Sequence, residues 1–214
     1  MKKVLFFTIL IISNYSYSQI STRHFIKGVE IVDYITFELC ADSISGINQV
    51  ELVKEKTNHK IQANIDLMID FLKNFDYPKD GPLVGRCGVL TFSLINPEFE
   101  NIELTDSEKK QCLKFRKGKY EYHHINHKST KVKRGRRIQK EKSYRGNQIY
   151  KIVWTSDSTY DLIYHRLTND KLKYLIGEKI KVEIIKLIGD NGYVYRSTSP
   201  NGVVYYGALY KSKN

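Results

Sequence analysis

Proline is scarce, with four in 214 residues, and charge is plentiful at 27%. That composition argues against a disordered or low-complexity chain and for a packed globular one. Long apolar runs are missing too. The longest, Val4–Ile12, spans nine residues, whereas a membrane-crossing helix needs roughly 20. Cysteine is limited to Cys40, Cys87 and Cys112, without the paired spacing of a redox motif or a zinc ribbon. There is no nucleophile elbow, no glycine-rich phosphate loop and no pair of carboxylates on a shared strand. Catalysis is therefore not expected, and no cofactor is implied. The weak hydrolase candidates are His165, on a strand-like segment, and Cys87 in "GRCG".

The N-terminus explains the short apolar run. Lys2 and Lys3 precede Val4–Ile12, and Ser16 and Ser18 supply a small-x-small pattern ahead of Gln19. This is the three-part layout of a secretory signal peptide, residues 1–18. The mature chain is expected to be periplasmic or secreted, not membrane-spanning, and away from intracellular nucleic acid. An oxidising compartment permits one disulfide and leaves one thiol over. Cys40–Cys87 is the expected pair, because both fall on strands of one small sheet. Three separate buried thiols are the alternative.

Charge divides the remainder. Residues 19–111 carry 10 Lys/Arg against 15 Asp/Glu, a net of −5, and residues 112–214 carry 23 against 8, a net of +15. Such asymmetry suggests two units with different surfaces. The expected layout is an α+β chain: a β-β-α-β domain over 19–101, a linker with a short helix over 102–117, and a basic antiparallel β domain over 118–214. Thr105 and Glu108 have capping-box spacing for the linker helix.

In the acidic part, Ile35, Phe37 and Leu39 alternate with polar positions, "ADSISG" has turn chemistry, and "INQVELVKE" resumes extended structure. Ile61, Ile65, Met68, Ile69, Leu72 and Phe75 recur at helical spacing. "GVLTFSLI" closes the unit as a strand. In the basic part, period-two segments are separated by turn clusters such as "GDNG" and "SPNG". They predict a meander closing into a curved sheet or small barrel, with no helix between Gly118 and Lys211. Tyr150, Ile152 and Trp154 share one strand face, Tyr160, Leu162 and Tyr164 another, and Ile180, Val182 and Ile184 a third. Twelve of the 16 tyrosines lie here. They suit half-buried strands, and the alternative is a ligand cavity.

Two resemblances follow from these residues. The turn at 41–46, Val50–Val53, "FDYP" at 75–78, "PLV" at 82–84 and Val89–Ile95 resemble the C-terminal domain of TonB-type energy transducers, over about Gly28 to Phe99. That resemblance implies recognition of an extended peptide segment by sheet addition, with an outer-membrane receptor or other envelope protein as partner. The chain departs from that pattern in having no proline-rich spacer. The second half resembles small exported bacterial proteins with lipocalin-like sheets, through Cys112, Phe115, Gly118, Tyr120, Val153, Trp154, Tyr160, Ile176, Gly177, Ile180, Val182 and Ile184. It implies a fold and an envelope location but no activity. The second cysteine usual in that group is missing, with Ser158 nearby, which leaves Cys112 as the unpaired thiol.

One further stretch asks for a ligand. From Lys128 to Arg145 there are nine Lys/Arg and one acid, Glu141, with Tyr144 as the single aromatic. Single-strand nucleic-acid binders interleave aromatic platforms with charge, and this run does not. It reads as a hairpin turning at Gly135. Lys131, Lys133, Arg134, Arg136 and Arg137 are the candidate contacts for a polyanion such as lipopolysaccharide or an acidic glycan. The alternatives are a solvated surface and edge protection by charge. His123, His124 and His127 flank the run without an acidic cluster, so no metal site is expected there.

Overall fold

The computed structural model describes residues 22–123, 130–143 and 146–212. The leader, His124, His127, Lys128, Tyr144 and Arg145 fall outside these residues. The chain folds as two β structures joined by a short helical segment. The first is a four-stranded sheet: β1 (Arg23–Phe25), β2 (Val32–Asp42), β3 (Gly46–Leu52) and β4 (Arg86–Ile95), in the order β1-β4-β2-β3. Helix α1 (Gln62–Lys73) packs on one face through Ile65, Met68 and Leu72. These meet Ile35, Phe37 and Leu39 of β2 and Phe92 and Leu94 of β4. The helical spacing and the strand alternation thus point at one core. Strand β1, parallel to the end of β4, adds to the strand-strand-helix-strand order read from the sequence.

The second structure is a closed barrel of eight antiparallel strands: β5 (Gly118–His123), β6 (Lys131–Arg134), β7 (Ile138–Ser143), β8 (Gly146–Trp154), β9 (Thr159–Leu167), β10 (Lys179–Ile188), β11 (Gly192–Thr198) and β12 (Val204–Lys211). Each strand pairs with its successor, and β12 pairs back onto β5. Closure removes every free edge, which a meander of short strands otherwise leaves open. The barrel interior holds Tyr120, Tyr150, Ile152, Tyr160, Leu162, Val182, Ile184 and Tyr193, on the strand faces read from period two. One expectation fails: Asp170–Leu175, between β9 and β10, form a 3-10 helix, capped by Asn169 accepting from the Lys171 amide. Asparagine and aspartate there close a helical turn as readily as a hairpin turn.

Helix α2 (Asp106–Gln111) sits between the two structures and carries the capping box formed by Thr105 and Glu108. The segment is more than a connector. Leu104, Cys112 and Phe115 enter the barrel core, and Phe115 lies edge-on to Tyr193 with ring centroids 5.0 Å apart. Chain entry thus stoppers one end of the barrel. The hairpin turn at 135–137 lies at this stoppered end, because β6 and β7 run to and from it.

A third apolar cluster joins sheet and barrel. Val32, Tyr34 and Ile95, on the sheet face opposite α1, meet Ile185 of β10 and Val194 of β11, with Phe99 between them. Strand alternation points Ile184 into the barrel and Ile185 toward the sheet, and the β10–β11 register shift between Ile184 and Lys186 resets the parity so that Leu187 packs on the barrel core and Ile188 on the sheet side. Among the described residues no helix is long and apolar enough to cross a membrane.

Candidate binding sites on and inside the barrel

The five basic residues singled out from the sequence go to three places. Lys131 and Lys133 lie on the outer face of β6. Arg136 and Arg137 are exposed in the hairpin turn, where the Gly135 amide donates to Ile138 O at 2.8 Å. Arg134 is inside the barrel, 3% exposed, and does not belong to an anion-binding surface. Parity decides this. Val132 and Arg134 share the inward face of β6, and Val132 faces the buried Tyr120 across the β5–β6 pair. The valine amid the cations was the signal that the next-but-one residue points inward.

Buried Arg134 is fully engaged. Its Nε donates to Gln139 Oε1 at 2.7 Å, Nη1 to Phe115 O at 3.1 Å and Nη2 to Tyr160 Oη at 2.9 Å. The guanidinium also lies 4.7 Å from the Tyr160 ring centroid and 5.2 Å from that of Tyr120. Burial opposes its charge, but the facing hydroxyls of Tyr160 and Tyr193 outweigh that and hold it protonated. Gln139 relays the interaction: its Nε2 donates to Glu141 Oε1 at 2.7 Å, and Tyr122 Oη donates to the same oxygen at 2.6 Å. Burial raises the Glu141 carboxyl above its ordinary range, while the Tyr122 and Gln139 bonds and Arg134 pull it back. Glu141, counted in the sequence only as the lone acid of a basic run, is thus an interior residue.

On the outside, strand register assembles a lysine surface. Lys119, Lys133 and Lys140 stand opposite one another across β5, β6 and β7. In the neighbouring row, Lys131 faces Lys142 on one side and Glu121 on the other. All five lysines are exposed, and none has a carboxylate within 4.0 Å among the described residues. They border a groove of about 680 Å³ that also takes in Glu121, Glu141 and, on β8, Asn147, Gln148 and Ile149. Directly opposed like charges destabilise a sheet by roughly 0.2–1 kcal/mol per pair. Edge protection does not account for them, since these strands are interior to a closed barrel. Lys140 and Lys142 carry no local signal in the sequence; only the β6–β7 register brings them to Lys133 and Lys131.

The sheet carries a different feature. Ser93 N donates to Thr22 O at 2.7 Å and Ile26 N to Ile95 O at 3.0 Å, so these odd-numbered residues of β4 face β1. By the same parity Cys87, Val89 and Thr91 direct their backbone groups to that edge, where no strand among the described residues pairs with them. Cys87 stands opposite Cys40 on β2, and the two are joined in a disulfide. That bond removes Cys87 from any nucleophilic role. Cys112 is free and buried; burial pushes its thiol up to about 11. His165 is exposed on β9. A buried His59 bonds Asp33 Oδ2 at 2.8 Å and Asn64 Nδ2 at 2.9 Å, which ties the loop before α1 to β2. No group of three His, Cys, Asp or Glu placed to hold a metal occurs among the described residues.

These features define a β protein: a closed eight-stranded antiparallel barrel with a separate four-stranded sheet. Comparison with protein-family models, curated proteins and solved structures returns no match.

Proposed function

We propose that this chain is a noncatalytic exported protein of the cell envelope, and that the outer face of β5–β7 binds an extended polyanion such as lipopolysaccharide or an acidic glycan. The observation that carries the reading is the row Lys119–Lys133–Lys140 beside Lys131–Lys142, five cations with one facing acid, Glu121, and no ion pair within 4.0 Å among the described residues. Such an arrangement costs stability in the free protein, and a multivalent anion relieves it. Attraction of this kind weakens with ionic strength. The test is binding of the mature chain to heparin-like and lipopolysaccharide-like polyanions across a salt series. Affinity should fall steeply with salt, and replacing Lys131, Lys133, Lys140 and Lys142 by glutamine should flatten the slope. Salt-insensitive binding, or a slope the four substitutions leave unchanged, removes the reading.

The open edge of β4 supports a second one: strand addition by a peptide of an envelope partner along Cys87, Val89 and Thr91. Val89 is 53% exposed there. Mature protein titrated with extended peptides should show amide shifts confined to β4. Shifts scattered over the barrel would count against it.

A further inference from the structure

Strands β9 and β11 run away from the Phe115 stopper, and β10 and β12 return toward it. The connections 168–178 and 199–203 therefore lie at the opposite end of the barrel, on either side of the β10–β11 pair. Large apolar side chains face solvent there. Tyr174 is 76% exposed, Ile176 50%, Val203 39% and Tyr205, the second residue of β12, 54%. Exposed apolar residues scattered singly are ordinary, but a cluster of them marks an interaction surface.

Both connections are held in place by their own hydrogen bonds. Gly177 N donates to Tyr164 O at 2.8 Å, and Ile176 N to Lys173 O at 3.1 Å. Ser199 Oγ donates to Val203 O at 2.9 Å. Tyr205 stands opposite the buried Ser197 across the β11–β12 pair, so it belongs to the inward face and reaches solvent at the rim. Burial raises the Tyr164 phenol above its ordinary range, and Tyr174 and Tyr205 each add to the rise. The three phenols thus share one rim.

The same end carries cations. Lys171, Lys173 and Lys179 stand in or beside the first connection, against Asp170 and Glu178. Lys173 pairs with Asp170 at 2.7 Å and Lys179 with Asp161 at 3.2 Å, while Lys171 has no carboxylate within 4.0 Å among the described residues. Lys131 and Lys142 lie where β6 leaves this end and β7 reaches it.

We propose that this end of the barrel docks on an anionic lipid surface, with Tyr174, Ile176, Val203 and Tyr205 entering the boundary between headgroups and acyl chains. A lipid interface presents both required chemistries in one plane: acyl chains for the apolar side chains and phosphates for the lysines. Tyrosine suits that boundary, because its ring is apolar and its hydroxyl stays in water. Each cation close to an anionic leaflet strengthens binding about fivefold. A glycan would stack on the tyrosines but leave Ile176 and Val203 in water. The inference does not rest on the polyanion reading, since Lys119, Lys133 and Lys140 of the side wall take no part in it.

The experiment is flotation of the mature chain with vesicles of phosphatidylcholine, with and without phosphatidylglycerol, in about 150 mM salt. A parallel titration with heparin reads the side-wall lysines. Binding to the anionic vesicles should exceed binding to the neutral ones at least tenfold. Tyr174→Ser combined with Ile176→Ser should weaken vesicle binding at least tenfold, with native dichroism and unchanged heparin affinity. Tyr205→Ser, on the other connection, should weaken it severalfold. Tyr174→Trp should show blue-shifted emission on adding anionic vesicles, against the constant signal of Trp154 in the barrel core. No flotation with anionic vesicles, or flotation that the paired substitution leaves unchanged, would overturn the inference. So would self-association abolished by the same substitutions without vesicle binding, which would assign the patch to a second copy of the chain. Vesicle binding without heparin binding would support it while removing the polyanion reading alone.

Discussion

Arg134 shows how far one side chain's position departs from what its composition suggests. It reads as surface charge, yet it cross-links the barrel stopper to the wall through Phe115 O, Gln139 and Tyr160. Truncation strands these partners and removes a packed stem. Arg134→Ala should therefore cost about 3 kcal/mol in urea unfolding, while Arg136→Ala and Arg137→Ala, exposed in the turn, should stay within about 0.5 kcal/mol. Cys112 makes the complementary case of a reactive group silenced by placement. Its thiol, lifted to about 11 by burial, is protonated at pH 8. Native protein should resist alkylation there and become labelled only on unfolding; rapid native labelling would contradict the buried position.

At the scale of elements, register creates the chemistry. No single strand of β5–β7 looks unusual, but closing them in this register opposes lysine to lysine twice in one row. Lys133→Glu, flanked by Lys119 and Lys140, should stabilise the barrel by a few tenths of a kcal/mol to about 1 kcal/mol. The same change should lower polyanion affinity, so stability and binding move in opposite directions. A loss of stability would show that the lysines have found partners in solution. The inner face of the same strands carries one cation and one carboxylate, Arg134 and Glu141, bridged by Gln139. Period two therefore sorts "KVKRGRRIQKEK" into an outer cationic face and an inner network of Arg134, Gln139 and Glu141. The hairpin was legible through Gly135, and so were the strands, because alternation and turn residues are local signals. Which face of the hairpin meets the barrel interior is marked in the sequence only by Val132, the one apolar residue among the cations of β6.

For the whole molecule, the decisive contact is the cluster of Val32, Tyr34, Ile95, Ile185 and Val194 between sheet and barrel. It makes the two cores neighbours across one β-sheet layer, so their unfolding should be coupled. Trp154, the one tryptophan, reports on the barrel, while far-ultraviolet dichroism reports on both structures. The two signals should coincide in urea, and Val194→Asp, placing an unpaired carboxylate at 0% exposure, should separate them. Reducing Cys40–Cys87, a bridge over 47 residues in the sheet, should cost about 2–4 kcal/mol and lower the Trp154 midpoint as well. An unmoved midpoint would show independent units. The sequence by itself determined the capping box of α2, the division of charge and most of the strands and turns, though not β1 or the helical turn at 170–175; these depend on neighbours within a few residues. Tertiary structure alone decided closure of the barrel, the stoppering by Phe115, the lysine rows and the buried Arg134–Gln139–Glu141 network. These require pairings between segments tens of residues apart, and the pairing energy is not written in any one segment.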